Sequence, residues 1–96
     1  MKRMKIIETV KVEDCFDGSR ISEVLLDCEI TKEFILKLGH GSRLQYFEDF
    51  ARPFFKIRME GKCDVKGIEG NRKMRVHIKN PDFYSIGNFI AYIEML

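Results

Sequence analysis

Tryptophan is absent, only two prolines and two histidines occur, and the three cysteines Cys15, Cys28 and Cys63 stand far apart. Each scarcity removes a class of explanation. An odd number of widely spaced cysteines gives neither a disulfide framework nor a Cys-x-x-Cys ligand pair, so all three read as reduced thiols of a cytoplasmic protein. His40 and His77 share no His-x-x-x-His spacing, and no metal site is expected. No Walker or dinucleotide-binding motif occurs, so no cofactor is expected either.

Long apolar runs are missing too. Nothing approaches the roughly 18 uninterrupted apolar residues of a spanning helix, which predicts no membrane association. Met1-Lys2-Arg3-Met4-Lys5 runs into Ile6-Ile7 and at once into Glu8, so no signal peptide is expected. The 96 residues predict a single domain, 1–96, with room for one core, and exclude large two-domain enzymes. The 45% hydrophobic and 33% charged fractions are those of a folding globular chain.

The formal net charge of +2 conceals a strong asymmetry. Between residues 6 and 50, five Lys/Arg face ten Asp/Glu, a balance of −5. Between residues 51 and 80, nine Lys/Arg face three Asp/Glu, a balance of +6. Such a dipolar chain either steers an acidic partner or pairs one half of its fold with the other.

Hydrophobic periodicity predicts the elements. A first strand runs from Met4, with Met4, Ile6, Val10 and Val12 on one face and Glu8 the exception. Asp17-Gly18-Ser19-Arg20 supplies turn chemistry. In a second strand, Val24, Leu26, Cys28 and Ile30 alternate with Glu23, Leu25, Asp27 and Glu29, an acidic face that would suit Lys5 and Lys11 on the first strand. Thr31 is placed to cap a short helix carrying Phe34, Ile35 and Leu38, which Gly39 ends. Ser42-Arg43-Leu44-Gln45 fits a capping box for a second helix with Leu44, Phe47 and Phe50 on one face, stopped by Pro53, although the aromatic stretch Tyr46 to Phe55 also fits extended chain or a loop that closes the core.

The clearest pattern lies between Phe54 and Lys79. Phe55, Ile57, Met59, Gly61, Cys63, Val65 and Gly67 share one parity, consistent with one long strand that bends or bulges at Gly61. A two-residue Gly70-Asn71 turn of type II′ would return the chain, pairing Gly67 with Met74, Val65 with Val76 and Cys63 with Ile78. Asn80-Pro81-Asp82 would start a last helix, with Phe83, Ile86, Ile90 and Ile93 as its stripe. The resulting class is α+β, an antiparallel sheet of about four to five strands with helices packed on one face.

The hairpin register gathers positive charge on its other face. Lys66 falls opposite Arg75, Asp64 opposite His77 and Lys62 opposite Lys79. Lys56, Arg58, Lys66, Lys73, Arg75 and His77, with Phe54 at one end, are therefore the candidate anion- or partner-binding residues, because opposed like charges are relieved by a bound anion or an acidic protein. Aromatic rings on this face look too few for a single-strand platform. Asp64 beside His77 has acid/base potential but no nucleophile, since Cys63 points into the core. The Gly39-His40-Gly41-Ser42 loop, with His40, Arg43 and Arg52, is a second candidate, although a helix cap followed by a tight connection is the ordinary reading of such a loop.

These residues support a small cytosolic, non-catalytic binding or interaction domain, self-associating as a homo-oligomer or joining a larger assembly with an acidic protein partner. Binding of a nucleic acid or phosphate ligand through the basic sheet face is the alternative. A small enzyme ranks third and would require His40 and Arg52 to meet in one cleft.

Overall fold

Alternation with period two turns one side of an extended segment inward, and the segments 20–26, 54–59, 63–68 and 73–78 use it most clearly. The computed structural model describes residues 5–96. Its elements are β1 (Ile6–Asp14), β2 (Arg20–Leu26), α1 (Lys32–Leu38), β3 (Arg43–Phe47), β4 (Phe54–Met59), β5 (Cys63–Ile68), β6 (Lys73–Ile78) and α2 (Ile86–Met95). The strands form one antiparallel sheet in the order β1-β2-β6-β5-β4-β3. After the β1–β2 hairpin, the α1 segment carries the chain to the far edge, and β3 to β6 return as a meander that closes against β2. The protein is thus mixed α+β, with six strands rather than four to five.

The β5–β6 register is the one the alternation predicts: Gly67 opposite Met74, Val65 opposite Val76 and Cys63 opposite Ile78. A slip by one residue would drive Lys66 or Arg75 into the core. The connection is wider than a two-residue turn. Asn71 donates its N–H to Ile68 O at 3.1 Å, and Gly70 takes the third turn position at φ +89°, a conformation that a side chain strains, so the turn spans residues 68–71 and is not type II′. Ile30 fastens this loop, accepting from Gly70 N–H and donating to Asn71 O, both at 2.8 Å.

Several expectations need correction. The expected strand over Phe55 to Gly67 is two strands, β4 and β5, joined by a hairpin turn in which Lys62 N–H donates to Met59 O at 2.9 Å. The expected helix from Ser42 is strand β3, whose Leu44 and Tyr46 pack against the core. β2 stops at Leu26, so Cys28 and Ile30 lie beyond the strand expected to carry them. The last helix starts at Ser85 rather than Asn80: Ser85 Oγ accepts from Asn88 N–H, and Asn88 Oδ1 accepts from Ser85 N–H. Phe83 therefore lies before the helix and is 72% exposed. The expected beginning of the first strand at Met4 lies outside the described residues. Within β1, register shifts after Ile6 and Lys11 break the alternation, leaving Val10 and Val12 exposed.

The inward rows supply Val24 and Leu26 from β2, Phe55, Ile57 and Met59 from β4, Cys63 and Val65 from β5, and Met74, Val76 and Ile78 from β6. Phe34, Ile35 and Leu38 of α1 and Phe89 and Ile93 of α2 are buried in the same cluster. Thr31 caps α1 as expected, its Oγ1 accepting from Phe34 N–H at 3.1 Å. Tyr92 O–H, donating to Leu38 O at 3.2 Å, ties the two helices together. Full burial of such side chains stabilises by about 1.5–3 kcal/mol each.

Gly67 makes room for the Phe55 ring. A Cβ there would lie 2.6 Å from Phe55 Cζ, and Phe55 is fully buried. Gly67→Ala should therefore destabilise by about 1–3 kcal/mol despite alanine's lower chain entropy. Phe55→Leu in the same chain should recover part of that loss, and urea titration of the four combinations measures it. An alanine variant as stable as the parent would show that the ring does not lie across Gly67.

Candidate functional site

The register that buries one face aligns the other into three rows, because directly paired residues share a side of the sheet. The middle row runs Glu23, Arg75, Lys66, Lys56 and Gln45 across β2, β6, β5, β4 and β3. A second row runs Ile21, His77, Asp64, Arg58 and Arg43. The third carries Leu25 opposite Lys73 on one side and Ile68, Phe54 and Phe47 abreast on the other. Lys56, Arg58, Lys66, Lys73, Arg75 and Arg43 are all exposed.

Every proposed face residue therefore lands on one surface, and Arg43, expected with the loop, joins them. The paired positions Lys56–Lys66, Lys66–Arg75 and Arg43–Arg58 set like charges abreast. Three ion pairs touch this surface: Lys73 Nζ to Glu23 Oε1 at 3.5 Å, Arg58 Nε to Asp64 Oδ1 at 3.8 Å, and Lys79 Nζ to Asp64 Oδ1 at 3.6 Å. Arg43, Lys56, Lys66 and Arg75 form no ion pair among the described residues. Lys62 leaves the face for the β4–β5 turn, where its Nζ sits 5.9 Å from the centre of the Tyr84 ring. Acidic Glu23 answers Lys73 on β6; Asp27 does meet Lys5, accepting from its N–H at 3.1 Å, whereas Lys11 pairs with Asp14 at 2.9 Å.

Aromatic rings stand at one end of the cationic row. Phe47 and Phe54 stack with centroids 4.4 Å apart at 19°, and Phe50 lies 5.2 Å from Phe54. Phe50 is 56% exposed. The helix expected over Ser42 to Pro53 would have aimed Phe47 and Phe50 at the core; β3 turns Phe47 outward beside Phe54. The alternation Arg43-Leu44-Gln45-Tyr46 was the available signal. Two adjoining hollows of about 480 and 450 Å³ share Lys56 and Lys66. Arg52, Phe54 and Arg75 line the first, Arg43 and Arg58 the second.

His40 is not part of this assembly. It lies in the turn before β3, whereas Arg52 follows β3 in the loop leading to β4, so a five-residue strand separates them. Cys63 is fully buried, and desolvation, reinforced by Asp64, pushes its thiol up to about 12; it is an inert core group at neutral pH. Among the described residues no group of three or more His, Cys, Asp and Glu is arranged to hold a metal ion. No helix among them is long and apolar enough to cross a membrane.

His77 lies opposite Asp64 in the register, yet its ring nitrogen Nε2 meets Ser19 Oγ at 2.8 Å. Ser19 is buried and was not singled out by sequence. Its hydroxyl donates to Asp17 Oδ1 at 2.6 Å, and its N–H donates to the same oxygen at 3.0 Å. The single hydroxyl proton is thereby committed, so His77 must donate its Nε2–H to Ser19. A hydrolytic triad runs the opposite way, with histidine accepting from serine. The Asp17–Ser19–His77 chain therefore fastens the β1–β2 turn to β6. No protein family, curated protein or solved structure matches this chain.

The chain makes stability depend on pH. The Ser19 hydroxyl, then its N–H, with the His77 charge, hold the Asp17 carboxyl below its ordinary value of 3.8. A depressed carboxyl contributes stability above its unfolded value and loses it as pH falls through the folded one. Asp17→Asn should therefore lower the melting temperature at pH 6, and the deficit should shrink as the pH falls below the ordinary carboxyl value of 3.8. Parallel melting curves across that window check the sign; a gap that widens in acid would contradict it.

Proposed function

We propose that the protein is a non-catalytic binding domain whose exposed sheet face takes a polyanionic ligand. In this reading both helices lie over the apolar side and leave the cationic side open. The observation that carries it is the row Arg75, Lys66 and Lys56, three cations abreast on adjacent strands with no ion-pair partner among the described residues. With strands about 4.8 Å apart the row spans about 10 Å. Opposed like charges in a sheet are destabilising, and a bound anion reverses that cost. The shallow hollows beside Lys56 and Lys66 leave room for such a ligand against the cations.

Self-association is the second reading, favoured by β1. It is an edge strand of nine residues, exposed along nearly its whole length, with Ile7, Val10 and Val12 open to solvent. Pairing with the edge of a second copy would cover them. An acidic protein on the cationic face is a variant of the polyanion reading, with Asp and Glu in place of phosphate.

The test is inorganic polyphosphate binding by calorimetry at several salt concentrations. Affinity should fall steeply with salt, and Lys66→Gln with Arg75→Gln should weaken it about tenfold or more at low salt. The same double variant should be more stable than the parent by a few tenths to about 1 kcal/mol, because the opposed charges are gone. Absence of polyphosphate binding at low salt, or unchanged binding by the double variant, would remove the polyanion reading. Native mass measurement across a concentration series tests self-association, which requires a dimer that Val10→Lys abolishes.

A further inference from the structure

We infer that the polyanion is a single-stranded nucleic acid whose bases stack on the Phe47, Phe50 and Phe54 cluster while its phosphates run along Lys56, Lys66 and Arg75; this rests on the polyanion reading above. Phosphate alone explains the cationic row but gives no reason for aromatic rings on the same solvent-facing side. Phe54 is two residues from Lys56 on β4, a separation of about 6.6 Å along the strand. A nucleotide has the same division, with a flat apolar base at one end and an anionic phosphate at the other. Phe47 and Phe54 are already stacked on each other at 4.4 Å, which holds both rings in a fixed plane before any ligand arrives. Phe50, 56% exposed and tilted at 47° to Phe54, offers the more accessible ring.

Paired bases would be excluded from this contact. In a duplex the flat faces are occupied by neighbouring bases, whereas a single strand can splay them onto side chains. The positive row lies inside the sheet, between β6 and β4, on backbone fixed by ladders on both sides. Arg52, in the loop that follows Phe50, lines the same hollow as Phe54 and Lys66 and can reach a phosphate or lie over a base. Acidic proteins and anionic membranes match the charge but not the planar rings.

The experiment titrates the whole chain with oligothymidylate of about ten nucleotides, the matching oligouridylate, an abasic deoxyribose-phosphate strand of equal length, the corresponding duplex, and vesicles of anionic phospholipid. The oligothymidylate or the oligouridylate should bind more tightly than either the abasic strand or the duplex, and the better of the two tells DNA from RNA. Its log affinity should fall with log salt by about 0.7 per phosphate contacted, so the slope should be close to −2 and should drop by about 0.7 for each cation replaced. Phe50→Ala should weaken the base-bearing strand about five- to hundredfold and leave the abasic strand unchanged. Phe50 is exposed and outside the strands, so this variant keeps the core; Phe50→Trp adds a fluorescence signal that base stacking should quench.

If the abasic strand binds as tightly as the base-bearing ones and Phe50→Ala changes nothing, stacking is wrong while the polyanion reading survives. Preference for the duplex overturns the single-strand assignment, and binding to vesicles without binding to oligonucleotides overturns the nucleic-acid assignment. Failure of every anion at low salt, polyphosphate included, removes both.

Discussion

Burial of one side of the sheet is the constraint on which everything else depends. Val65 and Val76 face each other across β5 and β6, and Ile57 lies opposite Val65 on β4, all three essentially without solvent contact. Because a strand's side chains alternate strictly, fixing these three fixes Lys56, Lys66 and Arg75 on the other side as well. No separate interaction is needed to assemble the cationic row. The like-charge repulsion within it, a few tenths to about 1 kcal/mol per pair, is small beside the 1.5–3 kcal/mol gained by each buried apolar side chain, so the core holds the charges together against their own preference.

The same parity argument explains what could and could not be read from the chain. The turn at Gly70 announces itself because the apolar positions switch from odd at Gly67 to even at Met74, a change that a four-residue connection imposes. The turn between β4 and β5 is silent. Its three residues, Glu60 to Lys62, separate Met59 from Cys63 by four positions, so the inward parity is the same before and after. A continued strand and a hairpin with an odd-numbered loop write the same alternation, and only the Glu60-Gly61-Lys62 turn chemistry distinguishes them. Reading one strand there cost the sheet a strand.

The segment from Ser42 to Pro53, open between helix and extended chain in the sequence, is ambiguous for a different reason. Ser42 and Gln45 satisfy a helix-start pattern locally, but the polar–apolar alternation from Arg43 to Tyr46 satisfies a strand, and the open edge of β4 decides between them by supplying a ladder partner. Tertiary pairing overrides a local capping preference worth about 1 kcal/mol. The consequence fell on the site. The cations were legible because they sit on the strongly patterned strands, whereas Phe47 and Phe50 depend on β3 and its loop, so the rings beside the cations came into view only with the fold. The helix α2 shows the same competition at smaller scale: Asn80 does accept from Asp82 N–H at 3.3 Å, yet the reciprocal Ser85–Asn88 box starts the helix five residues later.

Where the cations sit also bears on how they act. A flexible basic tail attracts anions but must be ordered on binding, losing about 0.5–1.5 kcal/mol for each immobilised long side chain and more for its backbone. Here the backbone share is already met, because Lys66 belongs to a strand flanked by neighbours on both sides. Glu23 and Asp64 trim the field at its borders by engaging Lys73, Arg58 and Lys79, and leave Lys56, Lys66 and Arg75 at the centre. The protein thus separates two kinds of positive charge on one surface. The cations that meet a carboxylate are partly screened by it, whereas Lys56, Lys66 and Arg75, like Arg43 on the edge strand, keep their charge uncompensated and repel their neighbours. In the proposed polyanion reading, a ligand that spans the central row is favoured over one that touches only the rim, and selectivity follows from which cations the fold leaves without partners rather than from how many it displays.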